Sequence, residues 1–251
     1  MILKYYSTGV LTHRQNRYMT SNRILNWEGC NNVRDLGGMS VSNGYKTRWG
    51  AVVRGDQPAK LTEDGWSSLY EHGIRTIISL RTHGLDEKDY PIVVPPHSDI
   101  QVVSVEIEDV TNKEFVEKWA SSDLWCTPLY YTDALNLWAH RHAAALKAIA
   151  QAQPGGVFFH CKRGYDRTGI IAMLLLALVG VSPEDIVADY ELSLDPERDE
   201  ILASHQTTSR EVIINTLKGI DIENYLIAGG LSQSNIHAIR KRLIEQAGKS
   251  V

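Results

Sequence analysis

At 251 residues, with 43% hydrophobic and 22% charged side chains and a formal net charge of −4, the chain has the composition of a globular protein with mass for one large core. That charge excludes a general polyanion-binding field, so any recognition of negative charge must be confined to a pocket and no nucleic-acid partner is expected. Three widely spaced cysteines, Cys30, Cys126 and Cys161, form no CxxC pair, which excludes a disulfide framework or zinc ribbon and suits the cytoplasm.

Residues 1–27 contain Lys4, Arg14, Arg17 and Arg23 but no acid, and they lack the apolar core and cleavage site of a signal peptide. Residues 1–26 are expected to form a poorly ordered tail, with Met19 a candidate native start that would leave residues 1–18 outside the native chain, and residues 27–251 a single domain. Residues 51–54, 74–80, 101–107 and 156–160 are short, rich in β-branched or aromatic side chains and flanked by turn residues, and they predict strands. Thr62 caps a helix through Glu71, with Glu63 and Asp64 in its first turn and Gly73 just past its end. Residues 82–99 hold three prolines and form one long irregular stretch, of the kind that borders sites.

An Ala/Leu-rich helix is expected over residues 129–152, leading into the fourth strand. The apolar run 170–181 is about a dozen residues, too short to span a bilayer, and predicts a buried helix. Helices beginning at Ser182-Pro183 and Asp195-Pro196, then at 210–217 and 232–245, make the last third helical. Strands alternating with helices predict an α/β protein, with a mixed, partly parallel sheet of four to five strands flanked by helices.

The fourth strand and the buried helix enclose His160-Cys161-Lys162-Arg163-Gly164-Tyr165-Asp166-Arg167-Thr168-Gly169. A strand–loop–helix of this kind turns backbone N–H groups and the helix dipole toward one point, which attracts an anion. Gly164 permits a backbone angle that other residues avoid, and Arg167 offers a planar fork matched to two phosphate oxygens. The same field favours the thiolate of Cys161, the nucleophilic form of sulfur. Phosphoryl transfer through a cysteinyl-phosphate follows as the expected chemistry, with Thr168 hydrogen-bonding the departing sulfur. Asp166, the nearest carboxylic acid, would protonate the leaving oxygen and then activate water. The N–H groups and Arg167 neutralise the charge that a metal would otherwise meet, so no metal or cofactor is expected. In isolation a cysteine at a strand end is ordinarily a small buried hydrophobe and an arginine at a helix start a surface cation. Six matched residues in the right strand–loop–helix context overturn that reading.

The string resembles the HCxxGxxRTG signature of the cysteine-dependent protein tyrosine phosphatase superfamily. Within it the chain is similar to the bacterial tyrosine/serine phosphatase branch, whose members also carry segments like Asn32-Val33-Arg34-Asp35-Leu36-Gly37-Gly38, Arg54-Gly55-Asp56 and Leu61-Thr62, and an aspartate before the signature arginine. The resemblance covers the chain from about Trp27 onward. It implies the protein tyrosine phosphatase-like fold and a tyrosine or dual-specificity protein phosphatase. In that reading Cys161 is the nucleophile, Arg167 the phosphate clamp, residues 162–166 the phosphate loop and Asp166 the acid. A phosphoinositide or small-metabolite phosphatase, or a non-catalytic phosphate-binding module, is the alternative. Many relatives have Asp-Leu-Arg after the second strand where this chain has Ser79-Leu80-Arg81, and it lacks a Trp-Pro-Asp segment; Asp166 or Asp109, the latter just after the third strand, must then supply the acid.

Arg34 is expected either at the pocket or in a structural turn with Asp35. Lys162 and Arg163 read as recognition cations or solvated ones, Tyr165 as a pocket wall or a cover for the next helix, and His160 as a support for the nucleophile. Cys126 is expected to be a buried thiol, conceivably a resolving partner for Cys161 under oxidation. His140 and His142, two apart on a helix, share no face, so no metal site is assigned. The partner is a phosphorylated protein or a small phosphomonoester, and the chain contains no transmembrane segment.

Overall fold

The computed structural model describes residues 23–85 and 92–246. The expected tail over residues 1–22 lies outside them. A five-stranded sheet runs in the order β1 (Arg34–Asp35), β4 (Val52–Gly55), β7 (Gly156–His160), β5 (Ile74–His83), β6 (Gln101–Asp109). All neighbouring pairs are parallel except β1 with β4, so the sheet is mixed and mostly parallel, as the alternation of strands and helices predicts. β7, the latest of the five in sequence, lies between β4 and β5, and every one of its residues is buried. A strand covered on both faces reads as a continuous apolar run, and Val157-Phe158-Phe159 is one.

Alternate side chains of β7 serve two cores. Phe158 packs with Trp27, Val33, Leu69 and Ile77 beneath α1 (Glu63–Glu71). Val157 and Phe159 point into the larger core formed by α2 (Tyr131–Gln151), α3 (Asp166–Leu178) and the C-terminal helices. α1 begins where expected, with Thr62 Oγ1 accepting from Gly65 N at 3.2 Å. α3 is buried nearly all round, from Thr168 through Leu176, which explains an apolar run without a polar stripe. No helix among the described residues is long and apolar enough to cross a membrane.

α4 (Pro183–Glu191), α5 (Pro196–Ser204), α6 (Ser209–Lys218) and α8 (Gln233–Leu243) match the four expected starts to within a residue or two. Ser182 caps α4 through Asp185 N, and Asp195 caps α5 through Arg198 N at 3.3 Å. α7 (Ile222–Ala228) has no counterpart in the sequence reading. Neither does a second sheet, in which β3 (Tyr45–Thr47) pairs with both β2 (Ser40–Val41) and β8 (Ile244–Gln246). The small strands are two or three residues long, too short for a period-2 pattern to register.

Two expectations near the N-terminus need correction. Residues 23–26 join the fold: Arg23 is buried, its carbonyl accepts from Asp35 N at 2.9 Å, and Leu25 N donates to Val33 O at 3.0 Å. Arg34 neither lines a pocket nor forms a surface pair. It is buried against Asp189 of α4 (Nε to Oδ1 3.1 Å), which also receives Arg23 (3.0 Å) and Arg54 (2.8 Å). Burial opposes ionisation of Asp189, but three guanidiniums outweigh it and hold the carboxyl far below the usual range. Asp35 instead closes the glycine turn, accepting from Gly37 N at 2.7 Å and Gly50 N at 2.8 Å.

Candidate active site

β4 and β7 end together, with Gly55 opposite His160, while β5, whose Ser79 also stands opposite His160, runs on to His83. Cys161 therefore emerges at the carboxyl edge of a parallel sheet, where the following helix points its N-terminus and where α/β proteins place their ligands. Its side chain lines a cleft of about 560 Å³ together with Lys162, Arg163, Asp166, Arg167 and Arg198.

The loop's carbonyls are held from outside. Arg54 Nη2 donates to Gly164 O at 2.9 Å, Gln57 N to Lys162 O at 3.3 Å and Asn32 Nδ2 to Arg163 O at 3.1 Å. Gly164 N in turn donates to Cys161 Sγ at 3.3 Å. Gly164 has φ +76°, and a Cβ there would lie 2.6 Å from the carbonyl carbon of Gly55, so conformation and space both demand glycine. Thr168, expected to reach the sulfur, is buried with no hydrogen-bond partner on Oγ1, and the backbone of Gly164 takes that place. His160 is buried with Nδ1 3.2 Å from Cys161 O, and burial holds its pKa down to about 3, so the ring is neutral.

Arg167, on the first turn of α3, donates from Nη1 to Leu80 O at 3.2 Å, and its Nε lies 3.8 Å from Glu108 Oε2. Glu108 is the cleft carboxylate that the sequence reading did not single out. It is buried in the cleft wall, with Tyr130 OH donating to Oε1 at 2.6 Å and Thr82 Oγ1 to Oε2 at 2.9 Å. Asp109, the expected second acid, does not line the cleft. It is bound by Arg141 Nη2 at 2.8 Å and Thr111 N at 2.8 Å; despite partial burial, the Thr111 hydrogen bonds and Arg141 hold its carboxyl below the usual value.

A β-bulge exchanges the two acids. Arg81 pairs with Glu106, but Thr82 pairs with Glu108, so Ile107 is an extra residue in β6. Strict alternation would put Glu108 on the face of Glu106 and Asp109 on that of Ile107. Instead Glu106 and Asp109 both meet Arg141, at 3.3 and 2.8 Å, and Glu108 turns inward. The one signal in the sequence is the run of adjacent acids at 108 and 109, which does not say which of them faces in.

Asp166 lines the cleft with Cys161, on the same turn as Arg167, with 14% of its side chain exposed and Oδ1 enclosed without a hydrogen-bond partner. Burial pushes its pKa up to about 6; Glu108 adds to the rise, while Arg163, 3.7 Å away, and Arg167 oppose it. A carboxyl raised toward neutrality is suited to hold a proton for donation.

Lys162 and Arg163 line the cleft, and Arg163 is half-occupied by Asp195 at 3.3 Å. Tyr165 is not a wall of the cleft: its hydroxyl donates to Leu194 O at 2.9 Å and its ring lies beside Arg163 and Arg198. Cys126, expected to be buried, is exposed at the cleft, where partial desolvation raises its pKa. No group of three or more His, Cys, Asp or Glu side chains among the described residues is placed to hold a metal ion.

Comparison with known proteins places this geometry in context. Residues 25–245 match the profile of the tyrosine phosphatase family. A protein of Cupriavidus necator, provisionally named a tyrosine-protein phosphatase, is 26% identical over 176 residues, 66% of this chain and 61% of that protein. A tyrosine-protein phosphatase of Nostoc commune is 32% identical over 143 residues, 57% of this chain and 48% of that protein. The chain thus spans between about half and three-fifths of the length of these curated relatives. Among solved structures it is similar to P. aeruginosa TpbA in complex with pTyr (TM-score 0.44, 14% identity, 78% of this chain and 95% of that one). It is also similar to the Siw14 catalytic core (TM-score 0.41, 16% identity, 75% and 90%).

Proposed function

The chain belongs to the tyrosine phosphatase family, and from that premise we propose that it hydrolyses phosphomonoesters through a cysteinyl-phosphate, with phosphotyrosine in a protein as first substrate and phosphoserine or phosphothreonine as second. The observation that carries the reading is the Gly164 N–H donating to Cys161 Sγ at 3.3 Å at the mouth of α3, with Arg167 and Asp166 on the helix's first turn. An N–H aimed at sulfur stabilises its anion, and the same cradle receives the equatorial oxygens of a transferring phosphoryl group.

In the first step Cys161 Sγ attacks phosphorus, the bond to the ester oxygen breaks, and Asp166 gives its proton to that oxygen. In the second, water attacks the cysteinyl-phosphate, its proton passes to Asp166, and the sulfur leaves as thiolate. Arg167 holds two phosphoryl oxygens throughout. Glu108 keeps Arg167 in place and, as a neighbouring negative charge, favours the protonated form of Asp166. Lys162 and Arg163 extend positive charge beyond the reacting phosphate, which favours substrates with further anionic groups nearby, phosphoinositides among them. No step uses a metal or cofactor.

The test is release of phosphate from p-nitrophenyl phosphate and from a phosphotyrosine peptide, with vanadate as inhibitor. Wild type is expected to turn over both. Cys161→Ser should bind vanadate or phosphate but release nothing, and residual hydrolysis by that variant at more than about one part in a hundred of wild type would reject the nucleophile.

A further inference from the structure

Arg198 lies on the first turn of α5, far in sequence from the phosphate loop, yet it lines the same cleft and is 4% exposed. Two of its three nitrogens are accounted for: Nε and Nη2 donate to Asp199 Oδ1 at 3.2 and 3.1 Å. The guanidinium is further fixed over Tyr190, its carbon 5.0 Å from the ring centroid. The third nitrogen, Nη1, is fully buried and has no hydrogen-bond partner. An unmet guanidinium donor is a costly thing to bury, and side chains that carry one usually meet a ligand or an ordered water there.

The same cleft holds the complementary group. Asp166 Oδ1 is also buried without a partner, and the charge of Arg198 is among those acting on the Asp166 carboxyl. Both side chains line one cleft, and a small molecule that accepted from Nη1 and donated to Oδ1 would satisfy the two atoms together. Water does both, and one step of the reaction consumes a water.

We propose that Arg198 is a catalytic residue of the second half-reaction, its Nη1 holding the water that hydrolyses the cysteinyl-phosphate while Asp166 Oδ1 takes that water's proton. The inference rests on the cysteinyl-phosphate reading above. The first step has already sent the Asp166 proton to the leaving oxygen, so the carboxylate is free to accept one. The water oxygen then bonds to phosphorus, the P–S bond breaks with its electron pair returning to Cys161, and inorganic phosphate departs with Asp166 reprotonated. Arg198 neither gains nor loses a proton; it fixes the oxygen that attacks and disfavours attack by a larger alcohol. In the first step the leaving oxygen occupies that region and needs only the proton of Asp166, so Arg198 contributes little to it.

This division gives a kinetic signature that a purely structural role would not. In stopped flow with p-nitrophenyl phosphate, Arg198→Met should form the phosphoenzyme at a rate within about threefold of wild type, while steady-state turnover falls on the order of a hundredfold, the loss seen for one positioned donor. A burst of p-nitrophenolate close to one per site, and phosphoenzyme trapped by acid quench, should accompany the slow turnover. Arg198→Lys retains the charge but not the fork, and should show the same burst with a smaller fall in turnover; it supplies the test if the Met variant does not fold. If burst rate and turnover fall together in these variants, or if neither changes, the assignment of Arg198 is overturned. If wild type itself yields no trappable phosphoenzyme under any quench, it is the underlying cysteinyl-phosphate reading that fails.

Discussion

Arg54 donates from Nη2 to the carbonyl of Gly164 at 2.9 Å, joining the end of β4 to the middle of the loop that follows Cys161. Its Nη1 is held at 2.8 Å by Asp189, which Arg23 and Arg34 also grip, so the loop's shape is tied to a buried ionic cluster on α4. Arg54→Lys removes the fork that serves both partners at once. It should lower unfolding free energy by about 3 kcal/mol, as broken buried pairs do, and weaken phosphate binding in the same protein. Urea denaturation and a phosphate titration check this; an unchanged midpoint with unchanged affinity would show that the cluster does not support the loop.

Asp166 predicts the alkaline limb of activity. With its carboxyl pushed up to about 6 by burial and by Glu108, kcat/KM for alkyl or unactivated aryl phosphates should fall as pH rises through that value and the proton is lost. Asp166→Ala should abolish this limb and cost on the order of a hundredfold or more for poor leaving groups, but far less for p-nitrophenyl phosphate, whose oxygen needs no proton. Equal losses across the series would move the acid elsewhere.

The same carboxyl costs stability. Its folded pKa lies above its unfolded one, so the native state holds the proton more tightly: the penalty for ionising it is absent below about pH 3.8, grows between there and about 6, and is complete above. Asp166→Asn should therefore stabilise the protein at pH 8, by up to about 3 kcal/mol, and have little effect near pH 4. Thermal melts at the two pH values measure it, and a stabilisation equal at both would remove the proton from the explanation.

Glu108→Gln keeps the side chain's shape and one of the two hydrogen bonds it accepts from Thr82 and Tyr130, the other reversing so that the amide NH2 donates to the hydroxyl, while deleting the charge near Arg167 and Asp166. Because that charge raises the Asp166 pKa, its loss should move the alkaline limb to lower pH and reduce kcat/KM on the order of tenfold at neutrality, where less of the acid remains protonated. The pH profile separates this from mere unfolding; a limb that stays in place would sever Glu108 from the acid.

The sheet's main strands, the buried helix and the strand–loop–helix that carries Cys161 and Arg167 were all legible, because each rests on local signals: β-branched runs, a continuous apolar stretch, and a loop whose glycine and cations stand at fixed offsets. Thr62, Ser182 and Asp195 announced their helices for the same reason, since a cap acts within one turn. What escaped depends on pairing across distance. Nothing local says that Arg34 will be buried against Asp189, 155 residues away, rather than stand at the pocket. Nothing local places Arg198, from a helix that follows the signature by some thirty residues, in the same cleft as Asp166.

The surplus residue in β6 bears on how this chain is compared with others. In a strand whose ladder to its neighbour runs unbroken, the carboxylate that faces the signature arginine would stand one place earlier, in the column occupied here by Ile107. Aligning such strands letter by letter would match Glu108 with a surface acid and suggest a lost or migrated residue where only the count differs. Equivalence at this position is properly decided by which partner on β5 an acid faces, and Thr82 is the landmark for it.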